Sequence, residues 1–290
     1  MPEWAAFAFA TAALTLLLLI LTRRSRRVLE RARIVDSRGD SVGSRGDAVD
    51  DDFDRDRDTA PRSDDASARA TENGETGVLS GDAPDGRPAL TTRSLLVNAA
   101  TSQAVGLAVL TAVAWWTAVP ATAFGIGGTH PTLGASAFAS LGTPGLVGLG
   151  AAAGIALAAG NQAAVRLGTR IGVTASDRLR AAMAPGTAGE WGLLLGVALP
   201  TVAVSEEALF RGALVGALAA GFAVDPWLLA VGSSVVFGLG HGAQGRLGIV
   251  VTAALGVALA GLFVVTGSLL VPIVAHYVVN AAEFAVHEGP

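Results

Sequence analysis

Two adjacent carboxylates and an arginine interrupt an otherwise apolar stretch. They lie in Val202-Ala203-Val204-Ser205-Glu206-Glu207-Ala208-Leu209-Phe210-Arg211. A carboxylate at the centre of a bilayer costs about 2.5–3.5 kcal/mol on insertion scales, so such groups mark functional sites by default. On a helix, Glu207 and Arg211 stand four residues apart and share a face, where they can pair. Glu206 is turned about 100° from Glu207 and points elsewhere, toward the bundle centre. One acid is then held and the other is free to act. A purely structural ion-pair network is the competing reading.

The histidines weigh against that competitor. There are four. His241 ends Phe237-Gly238-Leu239-Gly240-His241, with Phe237 placed one turn before it to pack over its ring. His276 lies in Pro272-Ile273-Val274-Ala275-His276-Tyr277-Val278-Val279-Asn280, and Asn280 shares its helix face. A lone histidine in an apolar helix is usually a satisfied core group. Two of them, beside a Glu-Glu-x-x-x-Arg, form a set. His130, in a loop beside Pro131, and His287, near the C-terminus, are read as outside the chemistry.

If these three helices converge, the site can hydrolyse a peptide bond. Glu206 takes a proton from water and passes it to the leaving amine, and His241 orients or helps activate that water. His276 and Asn280 donate to the tetrahedral oxyanion. A metal, zinc by donor type, is the alternative: Glu206, His241 and His276 would hold it, and it would lower the pKa of its water. No His-Glu-x-x-His spacing decides the matter, and the metal-free form is preferred. Ser205 lacks a glycine-flanked elbow and is not read as a nucleophile.

The chain that must position these groups is 51% hydrophobic and 15% charged, with a mean hydropathy of +0.53. Soluble domains carry about a quarter charged residues, so an ordinary soluble enzyme is excluded. With a net charge of -4 and no basic stripe, nucleic acid is not a partner. Without cysteine there is no disulfide, thiolate metal site or cysteine nucleophile. Every basic residue is arginine, which removes Schiff-base and Ser-Lys chemistry.

The fold class read from this pattern is all-α: a polytopic transmembrane helix bundle of about seven spans, with a disordered acidic linker after the first. Trp4 to Leu21 is almost continuously apolar, and eighteen residues reach about 27 Å, near the thickness of a hydrocarbon core. Its positive charges, Arg23 to Arg33, follow the apolar run instead of preceding it, so it reads as a retained anchor with its N-terminus outside. Residues 1–35 are this anchor and its basic flank. Residues 36–92 form the linker, holding 15 of the 24 acids within 36–90 and too little apolar surface to offset ordering entropy.

Residues 93–290 form a multi-helix membrane domain. Its spans fall near 94–118, 144–165, 190–222 (with a break at Pro200), 227–243, 248–266 and 268–287, the last kinked by Pro272. Alternation places Arg93, Arg166, Arg170, Arg178, Arg180 and Arg246 on the cytoplasmic side, while loops 119–143 and 223–226 carry no arginine. That matches the positive-inside rule and puts the linker and the C-terminus in the cytoplasm of a multi-pass cell-membrane protein. Segment 171–189 reads as an amphipathic helix on the inner face. The pairs Gly150/Gly154 and Gly212/Gly216 read as close helix packing.

Glu206-Glu207-x-x-x-Arg211, Phe237-x-x-x-His241 and His276-x-x-x-Asn280 together resemble the three signature motifs of the CPBP family. This is the CAAX protease and bacteriocin-processing (Abi) group of intramembrane proteases, which includes the Rce1-type prenyl endopeptidases. The stretch Thr266-Gly267-Ser268-Leu269-Leu270-Val271-Pro272 resembles the family's last helix. The resemblance covers about 190–285. It implies a glutamate-type endopeptidase acting on a membrane-associated protein or peptide in the lipid bilayer, with metal dependence open. In it, Glu206 matches the catalytic glutamate and Glu207 its neighbour. His241 matches the histidine that works on water, and His276 with Asn280 the oxyanion pair. A proton- or ion-coupled transporter and a non-catalytic scaffold or peptide-immunity protein are the alternatives.

Overall fold

The computed structural model describes residues 1–43, 91–127, 130, 133, 138–172 and 178–288. All regular structure among them is helical. In order the helices are α1 (Trp4–Gly43), α2 (Thr92–Trp116), α3 (Gly142–Arg170), α4 (Arg178–Ala182), α5 (Ala188–Phe222), α6 (Pro226–Gly240), α7 (Gly245–Thr266) and α8 (Leu270–Glu288). The chain divides into two compact units. Met1–Leu29 with Leu90–Pro290 make the first, and Glu30–Ala89 the second. The acidic linker expected at 36–92 lies, over residues 44–90, outside the described residues, and its first residues continue α1 to Gly43.

Six of the described helices are long and apolar enough to cross a membrane. The seventh expected span, 227–243, is the fifteen-residue helix α6. At 1.5 Å per residue it reaches about 22 Å, short of a hydrocarbon core of about 30 Å. Its ends explain its length. Asp225 caps the start, its Oδ1 accepting from the N–H groups of Trp227 (2.9 Å) and Leu228 (3.0 Å), with Pro226 in the first turn. Gly238, Gly240 and Gly242 loosen the other end, where a short 3₁₀ turn takes over.

The expected break at Pro200 is a widening instead. α5 runs unbroken for 35 residues but becomes π-helical over Leu194–Ala198 and again over Ala208–Ala217. Proline has no N–H to give and its ring presses on the carbonyl four residues back, and a π-turn before it relieves both. The expected kink at Pro272 is also absent. α8 starts at Leu270, so this proline falls in the first turn, where no backbone donor is needed.

α5 is the central helix: half of its apolar window is buried, against 11–39% for the other five long helices. Both glycine pairs pack within the chain. A Cβ on Gly154 would lie 2.7 Å from Val278 Cβ and 2.8 Å from the Ala275 carbonyl oxygen, so α3 backs directly onto α8. Gly212 and Gly216 of α5 instead seat Phe124 and Ala123 of the α2–α3 connection.

The inner-face helix expected over 171–189 is represented by the five-residue α4 and the start of α5, residues 173–177 being outside the described set. Arg180 pairs there with Glu283 (3.3 Å) and Glu288 (3.5 Å). Glu283 also accepts from Asn161 (3.1 Å) and Gln162 (2.9 Å), which ties α3 and α4 to the end of α8. His130 is buried, its Nε2 donating to the Ala123 carbonyl at 2.9 Å and its ring edge-on to Phe263. Burial pushes its pKa down, opposed by its hydrogen bonds to the Ala123 and Gly216 backbone.

Candidate active site

The second π-helical stretch of α5 begins at the residue after Glu207. Such turns recur at functional sites and leave carbonyls without their usual helical donors. Inside a bilayer those carbonyls must find partners within the protein. Ser233 of α6 donates to the Phe210 carbonyl at 2.7 Å, and Tyr277 of α8 donates to that of Leu195 at 3.2 Å. The distortion is thus locked by its neighbours.

Glu207 is fully buried. Its Oε1 accepts from Arg211 Nη1 and from His276 Nδ1, both at 2.7 Å. The pairing of Glu207 with Arg211 expected from their spacing is present. Arg211, also fully buried, donates through Nη2 to the Gly256 carbonyl at 3.0 Å. Its guanidinium lies 4.6 Å from the centre of the Phe237 ring. This one ion pair therefore joins α5, α6, α7 and α8.

Glu206 has a different environment, as its 100° offset requires. Its side chain is 15% exposed. Oε1 accepts from Gln103 Nε2 at 3.2 Å, while Oε2 has no hydrogen-bond partner among the described residues. The nearest basic atom to Oε2 is His276 Nε2, at 3.8 Å. His276 thus stands between the two acids, Nδ1 on Glu207 and Nε2 facing Glu206.

His241 follows the last turn of α6. Its Nδ1 donates to the Phe237 carbonyl at 2.9 Å, because a carbonyl only accepts. In the neutral ring Nε2 is then an acceptor. The Phe237 ring packs against His241, centroids 4.7 Å apart as expected, and stands edge-on to His276 at 6.0 Å.

Glu206 and His241 line one cavity of about 180 Å³ together with Gln103, Phe210 and Phe237. α1 closes one side of it, through Leu14, Thr15, Leu18, Leu19 and Thr22. α1 is seated by three contacts. The Glu3 N–H donates to the Thr117 carbonyl at 2.8 Å. Phe7 is buried edge-on to Phe124. Trp4 covers Gly221, where a Cβ would come within 2.5 Å of its ring. A larger cavity of about 950 Å³ lies against Val204 and Ala208 of α5, but no ionisable side chain lines it. Chemistry, not size, locates the site.

Asn280 is half-buried one turn beyond His276, and no hydrogen bond among the described residues joins it to the glutamates or the histidines. The structure therefore brings together Glu206, Glu207, Arg211 and His276, sets His241 on the same cavity as Glu206, and leaves Asn280 outside this network. Among the described residues no three His, Asp or Glu side chains stand where they could hold a metal ion. Glu207 and His276 Nδ1 are engaged with each other, and His241 Nδ1 with the backbone. The set Glu206, His241 and His276 does not fit a metal cage.

Two groups escaped the sequence reading. Gln103 was passed over because it carries no charge, and Ser205 was weighed only as a nucleophile. The available signal was an amide in the apolar run of α2, since a polar side chain in a membrane span needs a partner.

Residues 188–282 match the family model of the type II CAAX prenyl endopeptidase Rce1-like domain. This segment is similar to CAAX-protease-family domains. It spans about a third of the chain and contains Glu206, Glu207, Arg211, His241, His276 and Asn280. The matched family is named for endopeptidase activity, and the six long apolar helices are those of a multi-pass membrane protein. α1, α2 and α3 lie outside the matched segment. No curated protein and no solved structure matches the chain.

Proposed function

We propose that this protein hydrolyses a peptide bond in a membrane-associated protein or peptide, with Glu206 as general base. The observation that most supports this is the division of labour between the adjacent acids. Glu207 is fully buried, its Oε1 held by Arg211 and His276, whereas Glu206 is partly exposed, lines a cavity and is held only through Oε1 by Gln103. Water in that cavity gives a proton to Glu206, and the hydroxide attacks the scissile carbonyl carbon. His241 Nε2 accepts the second water hydrogen and fixes its orientation. When the C–N bond breaks, Glu206 returns its proton to the leaving amine, giving a carboxylate and an amine.

His276 serves the oxyanion through Nε2, while its Nδ1 is held by Glu207. Asn280 supplies a second donor when substrate is bound. Arg211 and Glu207 act by positioning. No step runs through a metal, because the donors do not converge as a cage.

The matched family's name suggests substrates with a prenylated C-terminal segment. The arginine distribution supports an outside N-terminus, with the linker and C-terminus in the cytoplasm. The direct test is purified protein in liposomes with a quenched fluorescent peptide ending in a farnesylated Cys-aliphatic-aliphatic-X sequence. Cleavage by the wild type and not by Glu206→Gln supports both the activity and the base. Equal cleavage by the two contradicts the role of Glu206.

A further inference from the structure

Gln103 lies on α2, outside the segment that carries the three motifs. Its amide bridges two neighbours on α5. Nε2 donates to Glu206 Oε1 at 3.2 Å, and Oε1 accepts from Ser205 Oγ at 2.7 Å. The chemistry of the partners fixes this orientation. A carboxylate only accepts, so the NH₂ end must face Glu206. The reversed amide would set two oxygens against each other and leave the Ser205 hydroxyl facing a donor. Ser205 is buried, and its hydroxyl can also reach the Val202 carbonyl at 3.2 Å. The Gln103 link is the shorter of the two.

The consequence falls on Glu206. Of its two oxygens, Gln103 takes one, and the other is buried without a hydrogen bond among the described residues, 3.8 Å from His276 Nε2. A carboxylate on a glutamate side chain has three rotatable bonds, and no other hydrogen bond among the described residues restrains this one. A base must be held close to its working geometry to be effective.

We propose that Gln103, itself oriented by Ser205, is the positioning residue for the Glu206 carboxylate, so that α2 is part of the active site. This rests on the reading of Glu206 as the base. Gln103 acts through Glu206, by holding its Oε1.

The test compares wild type, Gln103→Met, Ser205→Ala and the double variant in native membranes. The first readout is modification of Glu206 by dicyclohexylcarbodiimide, quantified by mass spectrometry. It needs no substrate. Gln103→Met frees Oε1 and raises labelling at Glu206. Ser205→Ala raises it less, and the double variant matches Gln103→Met alone, because the two act as one relay. The second readout is the rate at which new peptide termini appear. Loss of one charge-assisted hydrogen bond predicts a fall of about 10- to 100-fold in turnover for Gln103→Met. The apparent KM and the unfolding midpoint stay at wild-type values, which a merely structural role would not allow.

Wild-type labelling and wild-type turnover in Gln103→Met would overturn the inference. If labelling responds to Gln103→Met while termini are identical in wild type and Glu206→Gln, the positioning contact stands and the endopeptidase reading falls. If termini depend on Glu206 but ignore Gln103, the positioning inference falls alone.

Discussion

Replacing Arg211 with Met should cost stability, whereas replacing Glu206 with Gln should cost activity, although the two lie within six residues on one helix. Arg211→Met keeps an unbranched apolar stem over Phe237 but removes the guanidinium. Glu207, fully buried, then loses its 2.7 Å partner and keeps only His276, and the Gly256 carbonyl loses its donor. Breaking a buried pair by removing one member costs about 3–5 kcal/mol, because the remaining charge is uncompensated. Glu206→Gln keeps the shape at a partly exposed position and weakens one charge-assisted hydrogen bond from Gln103, a loss of about 1 kcal/mol. It removes the general base, which contributes about 10²- to 10⁴-fold in rate. The assay is reversible unfolding in bicelles, by steric trapping, beside cleavage measured on the same preparations. The reasoning fails if Arg211→Met is as stable as the wild type. It fails equally if Glu206→Gln unfolds as readily as Arg211→Met.

The cavity wall gives a second prediction: Leu18→Trp on α1 fills part of the 180 Å³ beside Glu206, so kcat/KM falls while the unfolding midpoint holds. Gly154→Ala drives a Cβ into Val278 and the Ala275 carbonyl. Overpacking of this kind costs about 1–3 kcal/mol, and because α8 carries His276, turnover falls in the same variant. His130 predicts a pH dependence of stability. Burial lowers its folded pKa, so the unfolded chain takes up a proton below about 6.5 that the folded chain refuses. Stability contributed by the neutral ring is complete above that pH and is lost as pH falls toward the folded value. Comparing thermal midpoints at pH 7.5 and 5.5 for the wild type and His130→Gln checks this, since the substitution should flatten the difference.

The membrane-spanning character was legible because the 3.6-residue repeat and bilayer thickness constrain long apolar runs tightly. The Glu207–Arg211 pair and the Phe237–His241 contact were legible for a related reason, because i,i+4 spacing on one helix fixes a neighbour. The failures have a common cause in backbone detail. Pro200 and Pro272 each promise a distortion, but only the helix start decides which. α8 begins two residues before Pro272, and α5 absorbs Pro200 in a π-turn. Contacts between helices were legible only where charge demanded a partner. Hence His276 on Glu207 came as a refinement of its expected role, and Gln103 on Glu206 was missed. The seating of α1 against the cavity depends on Trp4, Phe7 and Leu18 meeting surfaces far along the chain, which no local spacing encodes.

The most direct measurement is a comparison of peptide termini in native membranes from cells making wild-type or Glu206→Gln protein at equal levels. The account predicts a set of new termini with the wild type that disappears with Glu206→Gln, in membranes where both proteins are folded and inserted. Those termini would also name the substrate. Identical termini in the two membranes would contradict the claim that Glu206 activates water for peptide-bond hydrolysis.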